Sequence, residues 1–148
     1  MADKTGLNRQ QNNAPALYHD NGDGTFSEVV YQGGQPTTYR DESGNLLTVK
    51  RAFANIAASS SNSSIVALVA SKKIRVLWVI FLAGATATDI TLQSNNTAIS
   101  PLFANGANGG AVLPFNPFGW LETASGEALK ATTGAGSTTG IAVGYVEV

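Results

Sequence analysis

The chain has no cysteine, one histidine (His19), one methionine, and 9 Lys and Arg against 10 Asp and Glu in 148 residues. Without cysteine there is no disulfide, no thiol nucleophile, no C-x-x-C redox motif and no thiolate-bound zinc or iron–sulfur cluster. One histidine provides no His pair for a metal and a single choice for a Ser-His-Asp triad. Charged residues make up 13%, where ~25% is usual. The net charge of -1 gives neither a basic field for general nucleic-acid binding nor an acidic tail. The longest wholly apolar run, Val76–Ala83, has eight residues, whereas a membrane helix needs ~20. The opening MADKTGLNRQ carries no apolar signal-peptide core. The expectation is a soluble chain finished in a cytoplasm, of one domain with an appended arm. At this length a single core can bury roughly 70% of the unfolded surface.

The charges are unevenly placed. Residues 1–51 hold five basic and six acidic residues, and residues 52–148 hold only Lys72, Lys73, Arg75, Lys130, Asp89, Glu122, Glu127 and Glu147. This shift divides the chain into an N-terminal arm with short β-hairpins, 1–51, and a charge-poor β-sandwich domain, 52–148. Residues 1–14 show neither helical nor strand period and are expected to be disordered or extended. One hairpin is expected to pair Ala16–His19 with Thr25–Gln32 around Asp20–Gly24, and a second Thr37–Arg40 with Leu46–Arg51 around Asp41–Asn45. Gly and Asn there supply positive φ at low steric cost. Residues 52–58 are read as one helical turn, and SSSNSS at 59–64 as a low-complexity loop.

Beyond it, short strands alternate with small and polar turns. Strands are expected at Ile65–Ala70, Ile74–Ala83, Asp89–Gln93, Ala111–Phe115, Gly119–Thr123, Ala128–Thr132 and Ile141–Val148. That spacing argues for an all-β fold, an antiparallel β-sandwich of jelly-roll-like form. In Ile74–Ala83, Ile74, Val76, Trp78, Ile80 and Leu82 point one way and Arg75, Leu77, Val79, Phe81 and Ala83 the other. Apart from Arg75 both faces are apolar, while a half-exposed strand alternates apolar with polar. The second face must be covered, by the N-terminal segment, by another subunit or by the same chain.

Few residues carry chemistry. Gly134–Gly140 (GAGSTTG) is the nearest approach to a phosphate loop, and its place between strands favours a hairpin turn. Asp20–Gly24 resembles part of a calcium loop, but its acids lie three apart and Glu28 comes too early, so a surface turn is the better reading. Glu122 and Glu127 could flank a cleft as a glycosidase pair, or be a solvated turn. His19 reads as a turn histidine. Lys72, Lys73 and Arg75 are too few for strong nucleic-acid affinity. Phe103, Phe115, Phe118 and Trp120 gather beside Pro114 and Pro117. Proline confines that stretch to an edge, bend or loop, where aromatics act as a core plug, an interface anchor or a sugar platform.

KKIRVLWV (72–79), TDITLQSNNTAISPLF (88–103) and NPFGWLETASGEALKATTGAG (116–136) resemble small structural proteins of tailed bacteriophages, in which a β-sandwich follows a polar arm. The resemblance spans roughly Leu46–Val148 and carries no catalytic signature. It implies a virion component made in a bacterial host cytoplasm, with capsid decoration (cement) on the head surface as the leading role. Head–tail connector, tail and fibre-base proteins share the composition. The implied partners are the major capsid protein and further copies of the chain, with a trimer favoured. No cofactor, metal, nucleic acid or membrane is implied. The candidate interface residues are Leu77, Val79, Phe81, Phe115, Phe118 and Trp120. A carbohydrate-binding module using Phe115, Phe118 and Trp120 and a glycosidase using Glu122 and Glu127 are the competing readings.

Overall fold

The computed structural model describes residues 17–20, 26–29, 39–41 and 44–148. The chain divides into two compact units, Met1–Thr37 and Thr38–Val148. In the first, strands β1 (Leu17–Asp20) and β2 (Phe26–Val29) pair antiparallel, from Leu17 opposite Val29 to Asp20 opposite Phe26. Residues 1–14 and the expected loop 21–24 lie outside the described residues.

The second unit begins with a small hairpin, β3 (Tyr39–Arg40) and β4 (Leu46–Leu47). Its turn is tied by Asp41, whose carboxylate accepts from the Asn45 amide at 2.8 Å. Eight strands then build a sandwich: β5 (Lys50–Ile56), β6 (Ser63–Val66), β7 (Ile74–Ala83), β8 (Thr88–Ser94), β10 (Phe103–Asn105), β11 (Gly110–Leu113), β13 (Leu129–Thr133) and β14 (Thr139–Glu147). Two short strands, β9 (Thr97–Ala98) and β12 (Leu121–Glu122), pair with β8 and β7. One sheet runs β11-β7-β14-β5 and the other β10-β8-β13-β6.

Counted along the chain, the first of the eight strands pairs with the last, the second with the seventh, the third with the sixth and the fourth with the fifth. Cross-pairs β14–β7 and β13–β8 complete the sheets. This is one long antiparallel hairpin rolled into two layers, the jelly-roll arrangement. All the described strand pairs are antiparallel, as the turn spacing implied.

The core lies between the two sheets. Ile74, Val76, Val79 and Phe81 of β7 and Ile141, Val143 and Tyr145 of β14 meet Ile90 and Leu92 of β8 and Leu129 and Ala131 of β13. The rings of Phe81 and Phe103 pack with centroids 4.9 Å apart.

Two expectations fail on register. Residues 52–58 form no helical turn: β5 runs to Ile56, pairs with β14 over seven positions, and alternates exposed Phe53 and Asn55 with inward Ala52, Ala54 and Ile56. Alanine's helical preference yields to ladder pairing and a period of two. The composition change at residue 52 therefore falls inside a strand. Strand β7 matches its expected limits, but its faces do not hold throughout. Gly144 pairs with Trp78 and Tyr145 with Val76, leaving Leu77 as an extra residue, a β-bulge. Below the bulge Ile74 and Val76 enter the core, and above it Val79 and Phe81 do.

Candidate interaction surface

The outward faces of the two sheets differ. On β8 the buried Ile90 and Leu92 alternate with partly exposed Asp89, Thr91 and Gln93, and on β13 the buried Leu129 and Ala131 alternate with Lys130 and Thr132. Thr91 lies opposite Thr132 and Gln93 opposite Lys130, and the Thr132 hydroxyl donates to Gln93 Oε1 at 2.9 Å. This is the apolar-in, polar-out pattern of a sheet facing water.

On the other sheet the outward residues fall in three cross-strand rows. The first is Asn55, Gly140, Leu82 and Gly110; the second is Phe53, Ala142, Ile80 and Val112; the third is Arg51, Gly144 and Trp78. Arg51 is the one ionisable residue in the three rows. Phe53 is 84% exposed, Val112 63%, Leu82 58% and Ile80 45%. Along the central strand β14 the outward positions are small. A Cβ on Gly144 would lie 1.9 Å from Trp78 Nε1, so the indole lies across that glycine. A Cβ on Gly140 would stand 3.4 Å from Asn55 Oδ1. Ala142 is thus the floor of a shallow apolar dimple, with Phe53 on one neighbouring strand and Ile80 on the other.

The six interface candidates separate into two groups. Leu77, Val79 and Phe81 are buried within this chain. Val79 and Phe81 are core residues, and Leu77 occupies the bulge, where the backbone carbonyl accepts from Asn116 N at 2.8 Å. The bulge is the physical reason: it turns Ile80 and Leu82 outward in their place. Phe115, Phe118 and Trp120 lie on the loop ahead of β12, half-buried to exposed. Phe118 is 87% and Trp120 43% exposed. The loop holds itself: Trp120 Nε1 donates to the Pro114 carbonyl at 2.6 Å, the Phe118 amide to Asn116 Oδ1 at 3.0 Å, and Asn116 Nδ2 to the Gly119 carbonyl at 3.0 Å. Phe115 stands edge-on to Tyr39, centroids 6.1 Å apart. Phe118 is therefore no core plug.

Sequence reasoning missed Phe53, Ile80, Leu82 and Val112. A usable signal was present in β14, where Gly140, Ala142 and Gly144 alternate with Ile141 and Val143. The outward set there is small and neutral where a solvated face would be polar.

Five of the charged groups are engaged with one another in ion pairs. Glu122 accepts from Lys73 Nζ at 2.9 Å and from Arg75 Nε at 2.7 Å. Burial alone would raise its pKa, but the hydrogen bonds and charges of Lys73 and Arg75 reverse that and hold it below the ordinary glutamate value. A glycosidase proton donor needs the opposite shift. Glu127 accepts from the Ser94 hydroxyl, which also accepts from the Ala124 amide at 2.9 Å. Lys73, Arg75 and Glu122 line an open cleft of about 490 Å³ with Arg40 and Asp41. Lys50 pairs with Glu147 at 2.7 Å. In the β13–β14 turn, Ser137 N donates to Thr88 Oγ1 at 2.7 Å and Gly134 N to the Asp89 carbonyl at 2.9 Å. Those two amides face the protein, and the turn carries the chain from one sheet to the other, because β13 and β14 lie in different sheets; the expected hairpin does not form. Among the described residues no group of three or more His, Asp or Glu is placed to hold a metal.

No family model and no curated protein matches the chain. Among solved structures, it is similar to the cryo-EM structure of the giant freshwater prawn Macrobrachium rosenbergii extra small virus (XSV) VLP. The two share 15% identity over 88% of this chain and 94% of that chain, with a TM-score of 0.35. The jelly-roll assignment rests on this chain's own strand order.

Proposed function

We propose that this protein is a non-enzymatic virion structural component, with decoration of a tailed-phage head as its leading role. The observation that carries the reading is the apolar outward face of the β5-β14-β7-β11 sheet on a jelly roll that already has a complete core. Such a face is a liability on a free monomer and an asset in an assembly. Of the two carboxylates that could have served chemistry, Glu122 is spent on ion pairs with Lys73 and Arg75 and Glu127 on the Ser94 hydroxyl. The proposed partners are the major capsid protein and further copies of the chain. The segment ahead of Thr38 would serve as an arm whose strands add to neighbouring subunits, with many weak contacts on a lattice reinforcing one another. A trimer would need a heterologous contact about a three-fold axis, and the Phe118–Trp120 loop is the exposed surface left for it.

The test uses particles assembled without this protein. Purified protein added back is expected to give ordered density on the head surface by cryo-electron microscopy and to raise the temperature at which heads release DNA. Density at the neck or tail moves the assignment to a connector, tail or fibre-base role, and absence of density from the particle overturns it. The exposure of Phe118 and Trp120 favours one second reading, a carbohydrate platform. It requires quenching of tryptophan fluorescence by a glycan, and an unchanged spectrum removes it.

A further inference from the structure

The apolar sheet face has a shape as well as a chemistry. Ile80 projects from β7, and Ala142 is recessed on the adjoining strand β14 directly opposite it in register. Strands in a sheet lie ~4.8 Å apart, so knob and dimple sit side by side at one level. A two-fold axis parallel to the strands and running between β14 and β7, the middle two of the four strands, would lay Ile80 of one copy over Ala142 of the other, Leu82 over Gly140 and Phe53 over Val112, and the reverse. Each knob then meets a dimple, as an isologous contact requires.

Charge and area agree with such a partner. Arg51 is the one ionisable residue in the three rows and lies at their end, so a like-charged copy meets no repulsion at the centre. Protein interfaces share this layout, with apolar and aromatic residues inside and Arg at the rim. Phe53, Ile80, Leu82 and Val112 are 45–84% exposed and present on the order of 500 Å² of apolar surface, more than half of the ~800 Å² each partner gives to a standard interface. The flanking Asn55, Trp78 and Arg51 can supply the remainder.

We infer that a second copy of this chain covers the β5-β14-β7-β11 face, paired two-fold so that Ile80 of each copy fills the dimple over Ala142 of the other and Phe53 meets Val112. The inference names a partner that the virion reading leaves general, and it shares with that reading the premise that this face is covered.

Sedimentation velocity of the full chain across a dilution series tests it. Wild-type protein is expected to pass reversibly from two copies to one. Phe53→Asp puts a charge on an exposed position and is expected to raise the dissociation constant at least about thirtyfold, the scale of a hot-spot loss. Ala142→Leu fills the dimple and is expected to do the same, while Thr91→Asp on the opposite sheet leaves pairing unchanged. Thermal melts of the dilute variants check that each is folded. A wild-type monomer at every concentration, a three-copy mass, or pairing that survives Phe53→Asp in a folded protein overturns the inference. Binding to particles is scored separately. Wild-type pairing without particle binding removes the virion reading and keeps the pairing; particle binding by a strictly monomeric wild type does the reverse.

Discussion

The β8 and β13 strands turn Thr91, Gln93, Lys130 and Thr132 outward, whereas β5, β14, β7 and β11 turn out Phe53, Ala142, Ile80, Leu82 and Val112. Both sheets bury their inner faces in the same core, so core formation does not explain the difference. Burial of the inner residues stabilises the folded chain, while the outward apolar row adds little until something covers it. The sheet with polar partners is finished as it stands, and the other leaves an apolar row uncovered within this chain. That contrast gives meaning to the low charge content: with eight charged residues beyond position 52 and several of them paired at the β7–β12 and β5–β14 ends, little charge is left to solubilise the apolar sheet.

The largest effect should come from opposing faces of one strand. Phe81→Ala empties a fully buried site against Phe103 and is expected to cost about 3–5 kcal/mol in urea unfolding. Ile80→Ala, one residue away and 45% exposed, should cost less than about 1 kcal/mol in dilute protein. Equal losses would mean that the two faces are not distinct.

Next in size is Gly144→Ala. Its methyl would collide with the Trp78 indole, and overpacking of this kind costs about 1–3 kcal/mol. The indole must lift from the sheet, so tryptophan emission is expected to shift to the red; an unchanged spectrum and stability would mean the ring does not lie there.

On the polar sheet, Thr132→Val removes a hydroxyl that donates to Gln93 and accepts from the Asn62 amide at 3.2 Å. A loss of about 1 kcal/mol is expected, with no change in self-association. Acquired self-association would show that polarity alone keeps that sheet free.

The smallest effect concerns Glu122. Its pKa is lowered on folding, so its contribution is complete above the unfolded value and is lost as pH falls through the folded one. Glu122→Gln should therefore cost stability at neutral pH and match wild type in acid. The pair is partly exposed, which limits the difference to about 0.2–1 kcal/mol. A penalty that persists in acid would assign the loss to shape and not to charge.

Much of the fold is legible locally. Ten consecutive mostly apolar residues between Lys73 and Gly84 define β7 to the residue, and Pro114 and Pro117 mark the loop that exposes Phe118. What is not legible depends on partners distant in sequence. The bulge at Leu77 exists because Gly144 and Tyr145, nearly seventy residues on, pair with Trp78 and Val76; no neighbour of Leu77 announces it. Its consequence is that Leu77, Val79 and Phe81 are interior and Ile80 and Leu82 are surface. The alanines of β5 look helical alone and become a strand only beside β14. The interaction surface is assembled from four strands, so its rows are visible only once the jelly-roll order is known.

Hydroxyl-radical footprinting across a dilution series tests the contrast most directly, because it reads individual side chains. Phe53 and Phe118 have the same chemistry and nearly the same exposure, 84% and 87%. The account predicts that Phe53, with Leu82 and Val112, is protected at high concentration and becomes reactive on dilution, while Phe118 stays reactive throughout. Equal reactivity of Phe53 and Phe118 at every concentration would contradict it.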